Sequence, residues 1–141
     1  MRRLGIALAC LIGLGVVLIA LVFGISELGG EVVTVETLDS DGTPHETRLW
    51  VVDDGGDAWL RSGVPTSSWF LRLDANPEVH VTRAGETHSY RAEPVRDPAV
   101  RDRIHAKMAE KYGLAERLIA ASRDGDRSIP VRLAPQRSAP E

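Results

Sequence analysis

Apolar residues follow three patterns along the chain: an unbroken run near the amino end, short alternating stretches, and two stretches repeating every three to four positions. The run, residues 4–24, holds 21 residues without a charge. At ~1.5 Å per helical residue it matches a hydrocarbon core of ~30 Å, which predicts a transmembrane helix. It ends in Val22-Phe23-Gly24-Ile25-Ser26-Glu27 with no small-x-small cleavage site, so a retained anchor is expected. Arg2 and Arg3 precede the run, whereas Glu27, Glu31, Glu36, Asp39 and Asp41 follow it. The positive-inside rule then leaves the amino terminus in the cytoplasm and puts the remaining domain on the periplasmic or extracytoplasmic side of an inner or cell membrane, in a single pass. Gly5, Ala9 and Gly13 form a small-residue ridge that could pack a second helix in a homodimer, although such residues are common in spans.

After the hinge Leu28-Gly29-Gly30 the period changes to two, and Val33, Val35 and Thr37 mark a first strand over about 31–38. Asp39 to Pro44 is dense in turn formers, and Thr47, Leu49 and Val51 mark a second strand. The turn Asp53-Asp54-Gly55-Gly56-Asp57 leads into a third, Ala58 to Ser62. Thr66 or Ser67 caps a short helix over about 66–75 whose Trp69, Phe70 and Leu73 share a face, and Pro77 stops it. Residues 78–83 and 87–92 read as a second hairpin, with His80 and His88 facing each other across it. Asp97-Pro98 caps a helix with Val100, Ile104 and Met108 on one face, a further helix spans 114–122, and Ile129, Val131 and Leu133 alternate in a last strand. Pro130 predicts an edge or a bulge for that strand. The expected fold is mainly β: a six-stranded split barrel with a short helix after the third strand and helices before the last, preceded by one transmembrane helix. The corresponding domains are an anchor over 1–27, the barrel over 28–135, and a disordered tail over 136–141.

Composition narrows the function classes. With 141 residues, of which 43% are hydrophobic, the chain holds one modest core. Its net charge of −3 lacks the basic footprint of nucleic-acid binding. The lone cysteine, Cys10, excludes a disulfide framework and multi-cysteine metal sites, and the four histidines are scattered without a metal-binding spacing, so no metal is expected.

The segment that concentrates chemistry is Arg61-Ser62-Gly63-Val64-Pro65-Thr66-Ser67-Ser68-Trp69, a strand end entering a helix start. Arg61 and Arg72 supply charge, and Ser62, Ser67 and Ser68 supply hydroxyls suited to a phosphate. A plain helix cap with solvated arginines explains the same residues.

The stretch Trp69-Phe70-Leu71-Arg72-Leu73-Asp74-Ala75-Asn76-Pro77-Glu78-Val79-His80-Val81 resembles the tryptophan-helix segment of the deazaflavin-dependent nitroreductase family, relatives of the flavin-binding split barrels of the pyridoxamine-phosphate oxidase type. The likeness extends over about 31–113. It implies a groove for FMN or the 8-hydroxy-5-deazaflavin coenzyme, with Arg61, Ser62, Ser67, Ser68, Trp69 and Arg72 as cofactor-binding residues. It further implies hydride transfer to quinones or nitro compounds; no catalytic residue is singled out. The chain departs from the family at Asp39-Ser40-Asp41-Gly42, where a basic turn is usual, at the missing lysine after Ser62, and at Arg72, where asparagine is usual. Two functions follow: a membrane-anchored split-barrel flavin or deazaflavin oxidoreductase, with the bilayer and a small cofactor or quinone-like ligand as partners, or an anchored barrel that has become a cofactor-free binding module.

Overall fold

The computed structural model describes residues 12–15, 30–122 and 125–136. Contacts divide the chain into two units, Met1–Gly30 and Glu31–Glu141. In the first unit Gly30 and residues 12–15 are described, the latter helical. Most of the expected span therefore lies outside the described residues. Among the described residues no helix is long and apolar enough to cross a membrane. Among the described residues nothing supports the anchored architecture, the bilayer as partner or the single-pass localisation, and these expectations are not carried further.

In the second unit seven strands form one antiparallel sheet: β1 (Val32–Leu38), β2 (Pro44–Trp50), β3 (Val52–Asp54), β4 (Asp57–Ser62), β5 (Glu78–Arg83), β6 (Glu86–Pro94) and β7 (Ile129–Pro135). Helix α1 (Ser68–Ala75) follows β4, while α2 (Pro98–Tyr112) and α3 (Leu114–Ala120) precede β7. The spatial order is β2-β1-β5-β6-β7-β4-β3. The expected count of six strands is corrected to seven because the second strand is divided. Its first part pairs with β1 and its second with β4, and only Val51 separates them. The two ends of the sheet are thus consecutive in the chain, which forces the sheet to curl until its edges meet at residue 51.

A break of this kind leaves backbone groups without a ladder partner, and Val51 is fully buried. The Tyr112 hydroxyl accepts the Val51 N–H at 2.9 Å and donates to the Glu31 carbonyl at 2.6 Å. Lys111 Nζ donates to the Val51 carbonyl at 2.7 Å. Tyr112 stacks on Trp50 with ring centroids 4.3 Å apart, so the end of α2 clamps both sides of the break. Burial raises the Tyr112 pKa, which keeps the hydroxyl protonated as a donor.

Alternation in β1 buries Val33, Val35 and Thr37 against Leu60, Val79, Val81, Val131 and Leu133, and α1 adds Trp69, Phe70 and Leu73 to that core. A second cluster, Val52, Trp59, Ile104, Met108 and Tyr112, packs α2 on β3 and β4. Helix α2 begins as its sequence dictates: Asp97 accepts the Ala99 N–H at 2.8 Å and Pro98 occupies the first turn. Two local expectations change. Pro130 lies in an interior strand rather than at an edge, tolerated because β6 pairing begins only at Val131 opposite Pro94. His80 lies opposite Ser89 and His88 opposite Val81, a one-residue offset that separates the two histidines.

Charges outside the core reinforce the break. Arg83 pairs with Glu31 and, at 2.7–2.8 Å, with Asp53, while Lys111 reaches Glu31 at 2.8 Å. Hydrogen bonds from Arg83 are the main cause that lowers both carboxyl pKa values. Depressed folded-state values mean stability that is present above the ordinary carboxylate range and lost as pH falls through the folded-state pKa. Urea unfolding at neutral pH and near pH 3 should therefore show an acid-side loss that Arg83→Gln reduces.

Tyr112→Phe retains the ring stack but leaves the Val51 N–H without its acceptor. By the cost of an unsatisfied buried group it should lower stability by about 1–3 kcal/mol in urea unfolding. The same loss from Tyr90→Phe, a control at the half-buried tyrosine of β6, would refute the capping role.

Candidate functional site

The geometry centres on Arg61, next to last in β4 and opposite Pro130 of β7. Its side chain is directed at α3 and forms a two-pronged pair with Glu116: Nη2 donates to Oε2 at 2.7 Å and Nη1 to Oε1. The side chains are 11% and 7% exposed, so this is a largely desolvated ion pair. Helix α3 starts at Gly113, whose φ of +52° suits glycine, immediately after α2 ends. Leu114 and Leu118 on α3 are each 68% exposed, so its apolar ridge faces outward and its acid faces inward.

The ion pair separates two hollows. One, about 50 Å³, is lined by Arg61, His105, Glu116, Ile119 and Ser128 among others. In it the His105 imidazole Nε2 is hydrogen-bonded to Ser128 Oγ. Burial lowers the His105 pKa, with the nearby Arg61 charge acting in the same direction, which favours the neutral ring. The other is a cleft of about 200 Å³ lined by Arg48, Leu49, Trp50, Arg61, Met108 and Ile119. Arg48 is exposed there and has no ion-pair partner among the described residues.

The cofactor-binding set read from the sequence is dispersed. The Ser62 and Ser67 hydroxyls lie 2.8 Å apart and within 2.6 and 3.1 Å of the Val64 carbonyl, so their two protons are spent among these three contacts. Ser67 occupies the N-cap position of α1, but its side chain makes no cap hydrogen bond, in contrast to the expected capping. Ser68 opens α1 and is exposed. Trp69 is buried edge-on against Phe70. Arg72 Nε donates to Thr37 Oγ1 at 2.8 Å on the buried side of β1. Of the six, only Arg61 lines either hollow. Sequence reasoning missed Arg48 and Glu116. Arg48 stands on an alternating strand, and Glu116 lies in LAERLIA, where the Leu114 and Leu118 spacing suggests the opposite inward face; neither carried a motif.

A family model described as "Uncharacterized protein conserved in bacteria (DUF2255)" matches residues 29–133. The chain belongs to that family. No curated protein matched it. A conserved hypothetical protein from Mycobacterium tuberculosis superposes with a TM-score of 0.63 at 21% identity, covering 77% of this chain and 74% of that one. HutZ, the heme storage protein from Vibrio cholerae, gives 0.61 at 18% identity over 83% and 89%. A candidate pyridoxamine 5'-phosphate oxidase from Listeria innocua gives 0.60 at 15% identity over 82% and 91%. At such identities the likeness establishes the split-barrel fold, a family of folds that includes oxidoreductases and often takes flavin-like cofactors.

The nitroreductase membership inferred from the sequence, with its added anchor, gives way to this family. The physical reason lies in the segment that carried it. Asn76 ends α1 through its N–H on the Arg72 carbonyl at 2.8 Å, and its side chain accepts the Glu78 N–H at 3.4 Å as β5 begins. The Asn76-Pro77 motif therefore encodes a helix stop and a strand start, a requirement of the fold. The anchored oxidoreductase and the anchored cofactor-free module are both withdrawn with the span on which they rested.

Because Arg61 is already paired, Arg61→Ala acts first on stability, leaving the Glu116 carboxylate buried without a partner. Breaking such a pair costs about 3–5 kcal/mol, whereas replacing both partners by apolar residues is often neutral. Chemical denaturation should accordingly show a large loss for Arg61→Ala and most of it restored in Arg61→Met with Glu116→Leu. Equal losses in the two variants would contradict a desolvated pair.

Proposed function

We propose that the protein binds a planar, anionic heteroaromatic ligand of the flavin class, with FMN and the 8-hydroxy-5-deazaflavin coenzyme as its candidate ligands. The observation that carries this reading is the cleft beside Arg48, Trp50 and Arg61. Leu49, Met108 and Ile119 give it apolar walls, and Arg48 places an unpaired guanidinium on its rim. An apolar slot next to a cation suits a ring system bearing a phosphate or carboxylate. At about 200 Å³ the cleft is smaller than the ~300–1,000 Å³ of a site that encloses a whole ligand, so it holds one end of the molecule. Ser62, Ser67 and Arg72 are engaged within the fold, and the reading does not call on them. A bound flavin or deazaflavin would supply hydride-transfer chemistry, and the finer reading of the protein as an oxidoreductase rests on that ligand.

Titration of FMN into the full chain, followed by flavin fluorescence, tests the reading. Arg48→Ala should weaken binding by about tenfold, the scale of one charge-assisted hydrogen bond, and Arg48→Lys should restore part of the loss. Indistinguishable affinities for wild type and Arg48→Ala, or no binding by wild type and by the Glu116→Gln variant discussed below, would refute it.

A further inference from the structure

We propose that α3 is a lid latched by Glu116, whose carboxylate occupies the position on the Arg61 guanidinium that the ligand's anionic group takes when the lid opens. The inference deepens the ligand-binding reading above and rests on it.

Three independent features of the fold make α3 a separable element. It is only seven residues long, and it is joined to α2 through Gly113, a residue at φ +52° that provides a hinge without a side-chain penalty. Its Leu114 and Leu118 face outward, which leaves Ile119, at the border of both hollows, as the large apolar side chain on its inner side. What fastens it to β4 is chiefly the two-pronged ion pair of Glu116 with Arg61. A longer helix buried through an apolar face would not be released by exchanging one anion, whereas this one is held at a single charged point.

The same point is where a ligand would act. Arg61 and Ile119 line both hollows, so the ion pair and α3 form the partition between the 50 Å³ cavity and the 200 Å³ cleft. Moving α3 about Gly113 withdraws Glu116 and Ile119 together, joins the two spaces and exposes the Arg61 guanidinium beside Arg48, Trp50 and Met108. A carboxylate and a phosphate each offer two oxygens to a guanidinium in the same bidentate geometry. An incoming anion can therefore replace Glu116 bond for bond, which avoids leaving Arg61 desolvated and unpaired. The ligand then binds only the fraction of molecules whose latch is open, so its apparent affinity is lowered by that fraction.

Glu116→Gln keeps the side-chain shape while removing the competing charge. In the full chain FMN should then bind about ten- to a hundredfold more tightly than to wild type, corresponding to a lid that is open for about 1–10% of the time. Inorganic phosphate should compete with FMN for the variant more effectively than for wild type. Glu110→Gln, which removes a charge from an exposed position on α2, should leave both affinities near wild type. Hydrogen exchange supplies a readout independent of the substitution: amides over Leu114–Ala120 of the wild-type protein should exchange faster when FMN is bound. If wild type binds FMN through Arg48 while Glu116→Gln binds no more tightly and exchange over α3 is unchanged, the lid is overturned and the ligand-binding reading stands. Binding by neither wild type nor Glu116→Gln overturns both.

Discussion

The fold depends on the break at Val51. A single extended segment begins at one edge of the sheet as β2 and ends at the other as β3, and the buried peptide groups between them have no strand to pair with. The end of α2 makes this arrangement stable, because the Tyr112 hydroxyl and Lys111 ammonium supply the missing acceptor and donors. One helix terminus thus ties down Glu31 at the start of β1, Val51 at the break and, through Arg83, Asp53 of β3 and the end of β5. The curl follows from chain connectivity, and the clamp satisfies the polar groups that the curl would otherwise bury unpaired.

Fixing α2 in this way also determines where the site lies. With Tyr112 docked at the break, α3 begins directly at Gly113 and is carried back over the end of β4, where Glu116 meets Arg61. The clamp and the ion pair are consecutive consequences of one helix placement, but they differ in kind. The first satisfies backbone groups for which no exchange partner exists. The second joins two side chains whose electrostatic requirement any suitably shaped anion can meet, which makes it the replaceable contact of the pair.

Much of the local structure was legible in the sequence and its long-range closure was not. Alternation in Val33, Val35 and Thr37 locates β1, and Asp97-Pro98 sets the start of α2, because capping and pleat are dictated by neighbouring residues. The division of the second strand was not read from the sequence, because Thr47, Leu49 and Val51 alternate with Arg48, Trp50 and Val52 as one strand would, whereas the pairing partner changes from β1 to β4 at the adjacent buried residues Val51 and Val52. Pro130 misled for the related reason that its penalty depends on where neighbouring strands end, which period alone does not reveal. At the candidate site the hydroxyls and arginines between Arg61 and Arg72 were conspicuous as types, yet their engagement with Val64, Thr37 and Glu116 is tertiary information. Arg48 and Glu116 became visible only when β2 and α3 were placed on either side of Arg61.

Likeness of fold constrains function here less than the state of one guanidinium does. The split-barrel relatives share 15–21% of their residues with this chain, enough to recover the sheet and its helices and too little to transfer a ligand contact. What remains is the chemistry of the side chains in place. Ser62, Ser67 and Arg72 spend their hydrogen bonds on the fold, and Trp69 is sealed in the core, so removing them would alter the barrel before it altered any ligand. Arg61 differs because its partner is carried on a short helix beside a hinge and its charge borders two hollows. A buried cation of this sort must be paired, and under the proposed latch the choice lies between the resident carboxylate and an incoming anion. Affinity under that proposal is a difference between two nearly equivalent ion pairs, so modest changes in α3 would shift ligand binding more than they shift the strands of the sheet.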